Sequence, residues 1–103
     1  MSPSKKPTRP SEALALHREE VRAILARHGI SEPRIFGSVA RNEDDGDSDL
    51  DLLVRAPSDV SLWELARCDG ELSRTLEFPV MLTVEDHVST AFRRRIDGDL
   101  RPL

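Results

Sequence analysis

The 103-residue chain has one cysteine, Cys68, so no internal disulfide is open to it. A lone thiol suits the reducing cytosol, and a cytoplasmic protein is the expectation. Long apolar runs are missing too. Nothing approaches the roughly 20 apolar residues of a membrane span, and Met1-Ser2-Pro3-Ser4-Lys5-Lys6 leads into no hydrophobic stretch of the kind a secretory signal needs. There is no excess of positive charge: 15 Lys and Arg against 19 Asp and Glu leave a net charge of −4. That balance argues against general nucleic-acid binding, which calls for a basic surface. His17 and His28 lie near an apolar helical stripe with no second ligand at metal spacing, so they read as boundary residues and not as zinc ligands. No internal repeat or low-complexity tract breaks the chain beyond its first residues. What remains, at 38% hydrophobic and 33% charged residues, is one globular domain with a modest core.

The negative charge that is present is local. Glu43, Asp44, Asp45, Asp47, Asp49 and Asp51 place six carboxylates in nine residues. Glu43 to Asp47 read as a solvated loop. Asp49 and Asp51 are different, because they interrupt a strand-like Leu50, Leu52, Leu53, Val54 pattern, and aspartate is disfavoured in strands. Residues two apart in a strand project to one face, so these carboxylates would emerge together. Such an all-oxygen pair suits a hard cation such as Mg²⁺, with water and phosphate as its other ligands. Just upstream runs Arg34-Ile35-Phe36-Gly37-Ser38-Val39-Ala40-Arg41. Gly37, lacking a Cβ, lets backbone approach a ligand. Ser38 is placed to cap a helix start whose free N–H groups attract phosphate. Arg41 has two readings, a reach to nucleotide phosphates or a pairing with the acidic loop. Ser48 likewise either orients Asp49 or finishes the loop.

Gly37-Ser38, a gap of ten residues from Val39 to Ser48, then Asp49-Leu50-Asp51-Leu52 resembles the signature of the DNA polymerase beta-type nucleotidyltransferase superfamily. The fuller string, Gly37 to Arg41 with Ser48 to Val54, is similar to its smallest members, the minimal nucleotidyltransferases, many of them antitoxins encoded with a HEPN-type toxin. The resemblance implies Asp49 and Asp51 as catalytic metal ligands and Gly37, Ser38 and Arg41 around the triphosphate. It also implies a third carboxylate on a later strand, where this chain has Met81. Methionine neither ligates Mg²⁺ usefully nor takes a proton. Glu77, Glu85 and Asp86 flank that strand as possible substitutes.

Around the motif, residues 1–10, with Lys5, Lys6, Arg9 and three prolines, read as a disordered basic tail. Ser11 is a candidate N-cap for a helix to about His28, with Leu14, Val21, Ile24 and Leu25 as its stripe and Gly29 as its stop. Pro33 leads into a strand over Arg34–Phe36. Ser61 with Glu64 forms a capping-box signal for a helix to Leu76, whose inner face carries Leu62, Leu65, Cys68, Leu72 and Leu76. Trp63 falls off that line, as a sheet-edge packer or a partner anchor. Residues 79–84 predict a third strand. A last helix follows over 85–96, with Val88, Phe92 and Ile96 inward and Arg93-Arg94-Arg95 in its final turn. Residues 99–103 are expected to fray, leaving 11–98 as the domain. The fold class is α/β in the order α-β-α-β-α-β-α, a small sheet with packed helices; its mixed strand directions are implied by the resemblance.

The resemblance implies three competing activities. One is Mg²⁺-dependent transfer of AMP from ATP to a hydroxyl, a tyrosine of a HEPN-type toxin. Another is an antitoxin that masks its toxin with a weakened site. The last, transfer to RNA ends or aminoglycosides, fits poorly because larger relatives recruit those substrates with added domains.

Overall fold

The computed structural model describes residues 6–103. The sheet is mixed, with strand order β3-β2-β1-β4, formed by β1 (Ser31–Phe36), β2 (Leu50–Arg55), β3 (Val80–Val84) and β4 (Arg101–Pro102). Its helices are α1 (Pro10–Arg27), the single turn α2 (Gly37–Ala40), α3 (Leu62–Leu76) and α4 (Thr90–Ile96). The expected element order is present, with β4 added at the end.

Strand β2 is central, and Leu52, Leu53 and Val54 on it are fully buried. Alternation sends Leu50, Leu52 and Val54 to one face, where Ile35, Val80 and Val84 join Leu14, Val21, Ile24 and Leu25 of α1 and Cys68, Leu72 and Leu76 of α3. The opposite face receives Leu53, which packs with Phe36 and Ile96 under Val88, Phe92 and Leu100. Phe36 meets Phe92 edge to face at 5.8 Å. Thus α1 and α3 cover one face, while α4 covers only part of the other. Asp51 follows the alternation onto the face of Leu53.

Helix α3 starts as the capping box requires: the Ser61 Oγ accepts from the Glu64 N–H at 3.1 Å. Several expectations need correction. The basic tail of residues 1–10 falls partly outside the described residues, which begin at Lys6, and α1 already opens at Pro10. Proline suits the first helical position because its missing N–H has no helical partner there. The N-cap is Arg9 without a side-chain bond, so Ser11 is not the cap. The last helix begins at Thr90, capped by Ser89 Oγ on the Phe92 N–H, after a separate 3-10 turn over Glu85–His87. Leu62 and Trp63 are each 81% exposed, so neither packs inward. The C-terminal residues, expected to fray, are paired here: Arg101 and Pro102 lie opposite Ile35 and Arg34, and Leu103 is buried.

Candidate active site

The register pairs Phe36 with Asp51 across β1 and β2, so Gly37 leaves β1 directly beside the Asp51 carboxylate. Gly37 has φ +77°, and a Cβ built on it would lie 2.5 Å from Asp51 Oδ2. Glycine is required there twice over, for the left-handed backbone and for the space. The turn that follows is α2, whose N-cap is Phe36 with no side-chain bond; the cap expected of Ser38 is absent, and Ser38 lies half-buried within the turn.

Asp49 is exposed and immediately precedes β2, while Asp51 is half-buried on it. Burial pushes the Asp51 carboxyl above the usual carboxylate range, and the charge of Asp49 adds to this while Arg41 opposes it. The two aspartates therefore interact unfavourably when both are ionised, which is the electrostatic condition for attracting a cation. Arg41 donates to Glu43 at 2.9 Å and to Asp99 at 2.7 Å, which favours its pairing reading and extends it to the C-terminal segment. Ser48 finishes the loop: its Oγ accepts from the Asp45 N–H at 2.9 Å and donates to Asp45 Oδ1 at 3.2 Å.

Two anchors of this region were not readable locally. Asp44 is only 4% exposed, and its Oδ2 accepts the Ser11 N–H at 2.8 Å, correcting its assignment to a solvated loop. It supplies from a distance the acceptor that the first turn of α1 lacks. The other anchor is Arg101, whose Nε donates to the Ala40 carbonyl at 2.8 Å and fixes the end of α2. The only signal for it was an arginine next to a terminal Pro-Leu.

On β3, Met81 is the register partner of Asp51. Glu85 lies beyond the other end of that strand and is paired with Arg34, Arg55 and Arg93. Burial acts to raise its carboxyl, but Arg34 and Arg93 hold it below the usual range. Glu77 closes α3 in a left-handed conformation, φ 60°. Among the described residues, no three His, Cys, Asp or Glu side chains converge as a metal-ligand set. Asp49 and Asp51, close enough for their charges to interact, offer the hard oxygen donors that a divalent cation requires, and the glycine turn beside Asp51 leaves backbone open to a phosphate chain.

The family model of the nucleotidyltransferase domain matches residues 16–102. A Methanocaldococcus jannaschii protein, named as a candidate protein adenylyltransferase, is 37% identical over 73 residues, 71% of this chain and 78% of that one. A solved structure described as a candidate minimal nucleotidyltransferase superposes with a TM-score of 0.79 at 38% identity, covering 90% of this chain and 95% of the other. The fold also matches one chain of a solved complex between a tri-AMPylated Shewanella oneidensis HEPN toxin and an MNT antitoxin. There the TM-score is 0.66 at 17% identity, over 85% of this chain and 69% of that one. This chain belongs to the nucleotidyltransferase domain family, and within it to the minimal type. No described helix is long and apolar enough to cross a membrane.

Proposed function

We propose that the protein is a cytoplasmic, Mg²⁺-dependent adenylyltransferase that transfers AMP from ATP to a hydroxyl, a tyrosine of a cognate HEPN-type toxin, and thereby acts as its antitoxin. The observation that carries this reading is the contact between Gly37 and Asp51: the turn able to receive phosphate and the carboxylate able to hold a cation touch each other. The name of the M. jannaschii relative and the AMPylated toxin in the structurally similar complex point to the same chemistry.

In this reading Asp49 and Asp51 hold the cation, whose part is to neutralise phosphate charge and assist displacement at phosphorus. Gly37 and Ser38 present backbone to the phosphates, with space that only a glycine provides. Arg41, held by Glu43 and Asp99, sets a positive charge near Asp51 and keeps α2 oriented.

A second reading, in which the chain neutralises the toxin by binding alone, is favoured by one observation. The neighbour of Asp51 on β3 is Met81, which offers neither a ligand nor a base. The two readings part in one experiment. Labelled ATP, Mg²⁺ and the co-expressed toxin are incubated with the protein, and label is sought on the toxin by mass spectrometry. Transfer to a tyrosine supports the enzyme; a stable complex without label supports masking. Separate elution of the two proteins at low salt sinks both.

A further inference from the structure

Leu62 and Trp63 stand exposed at the start of α3, and no contact of the sheet accounts for them. Helix α3 connects the parallel strands β2 and β3, so it runs back along the sheet beside β3, which is an edge strand. One side of α3 faces α1, fixed by Glu71 with Arg27 and His28. The other side is fixed by Ser73, whose Oγ accepts the Val80 N–H of β3 at 3.1 Å. Helical spacing places Asp69, Ala66 and Leu62 on the Ser73 side. A stripe of Leu62, Ala66, Asp69 and Ser73 thus borders the outer edge of β3.

Among the described residues nothing pairs with that edge. Strand β3 reads Val-Met-Leu-Thr-Val and pairs with β2 residue for residue, without charge, proline or bulge. Sheet edges usually carry one of those devices against pairing with another chain. The Pro79 carbonyl accepts from the Leu50 N–H, and backbone groups alternate along a strand, so the N–H and C=O of Leu82 point outward. One helical turn and two strand residues both span about 6 Å, which sets Asp69 alongside Leu82. The Oδ1 of Asp69 is buried without a hydrogen-bond partner among the described residues, and burial alone raises its carboxyl above the usual range.

We infer that the β3 edge, with Asp69 and the Leu62–Trp63 pair, docks an extended segment of another protein that presents a lysine or arginine opposite Asp69. Strand addition would satisfy the outward groups of Leu82, the cation would complete Asp69, and an apolar residue further along would cover Leu62 and Trp63. A second copy fits badly. Antiparallel self-pairing centred on Leu82 would bring two Asp69 carboxylates together, and Arg67 and Arg74 lie on the other side of the helix. This inference is independent of the transferase reading.

The probe is the peptide acetyl-Thr-Val-Thr-Lys-Thr-Val-Thr-amide, compared with its Glu-for-Lys counterpart. The readouts are hydrogen exchange at the Leu82 amide and the emission of Trp63, the single tryptophan. The lysine peptide should slow exchange at Leu82 and shift the emission to the blue. The glutamate peptide should bind about tenfold or more weakly, as the loss of a charge-assisted hydrogen bond predicts. Asp69→Asn should erase that preference, and Leu62→Ser, on an exposed side chain, should weaken both peptides while the melting temperature holds. Three results would overturn the inference: no protection of Leu82 by either peptide, equal protection by both on the wild type, or protection that rises with protein concentration alone.

Discussion

Asp51 and Met81 sit opposite each other on parallel strands, so the carboxylate and the thioether leave the same face of the sheet. Met81 is 52% exposed there, where a further carboxylate would make a cluster of three carboxylates with Asp49 and Asp51.

Met81→Asp is therefore a surface change, and the buried-charge penalty that an enclosed methionine would impose does not apply. We expect the variant to fold, to melt somewhat lower without cation because three like charges adjoin, and to recover that loss when Mg²⁺ is added. If transfer is limited by a missing base, the rate at saturating Mg²⁺-ATP should rise, with about 10²–10⁴ as the range such assistance reaches. Single-turnover AMPylation and melting on the same preparation decide it. A stable variant with no gain means that Met81 is not the limiting position.

Asp51→Asn tests the electrostatics. The folded protein raises the Asp51 pKa, so ionised Asp51 costs stability, and that cost is absent at a pH below the ordinary carboxylate value. The asparagine variant should melt above the wild type at neutral pH without cation. Its advantage should shrink as pH falls through the raised pKa and vanish below the ordinary one. In Mg²⁺ the order reverses for nucleotide binding, with a loss of about tenfold or more, read by calorimetry.

Gly37→Ala fails on two counts, a left-handed φ and a Cβ 2.5 Å from Asp51 Oδ2. The conformational part alone is worth about 1–2 kcal/mol. Denaturant unfolding should show at least that loss. Nucleotide affinity should fall further than in a variant of equal instability elsewhere, such as Leu72→Val in the core. Equal affinities in the two would mean that the Gly37–Asp51 contact has no part in binding.

Asp44→Ala removes the distant acceptor for the first turn of α1, a capping loss of about 1 kcal/mol. The same change frees the loop that leads to Asp49, so the Mg²⁺ concentration for half-saturation should rise while the saturated rate stays near wild type. Asp44→Asn retains an acceptor oxygen and should restore most of both. A fall in stability with an unchanged Mg²⁺ requirement would confine Asp44 to helix capping.

The sequence made the strands legible because alternate apolar residues must find a core, and Leu50, Leu52 and Val54 do. It made the glycine–aspartate motif legible because few other residues fit a left-handed turn beside a carboxylate. Leu62 was misread for a physical reason: helical spacing aligns it with Leu65 and Cys68, but the sheet ends at β3 and offers nothing above it. Asp44 looked like its acidic neighbours, since its burial depends on Ser11, 33 residues away. Strand β4 has two residues and so no periodicity; only its partner β1 defines it.

Arg101 holds the end of α2 from 61 positions further along the chain. Translation runs at about 5–20 residues per second, so the glycine turn leaves the ribosome several seconds before the side chain that latches it. During that interval Ala40 and Arg41 lack their partners on Asp99 and Arg101, and the turn that opens at Gly37 is an open clasp. The nascent chain therefore passes through a stage in which the glycine turn exists without its latch, and both the latch and the last core residues, Ile96 and Leu103, come from the same final stretch.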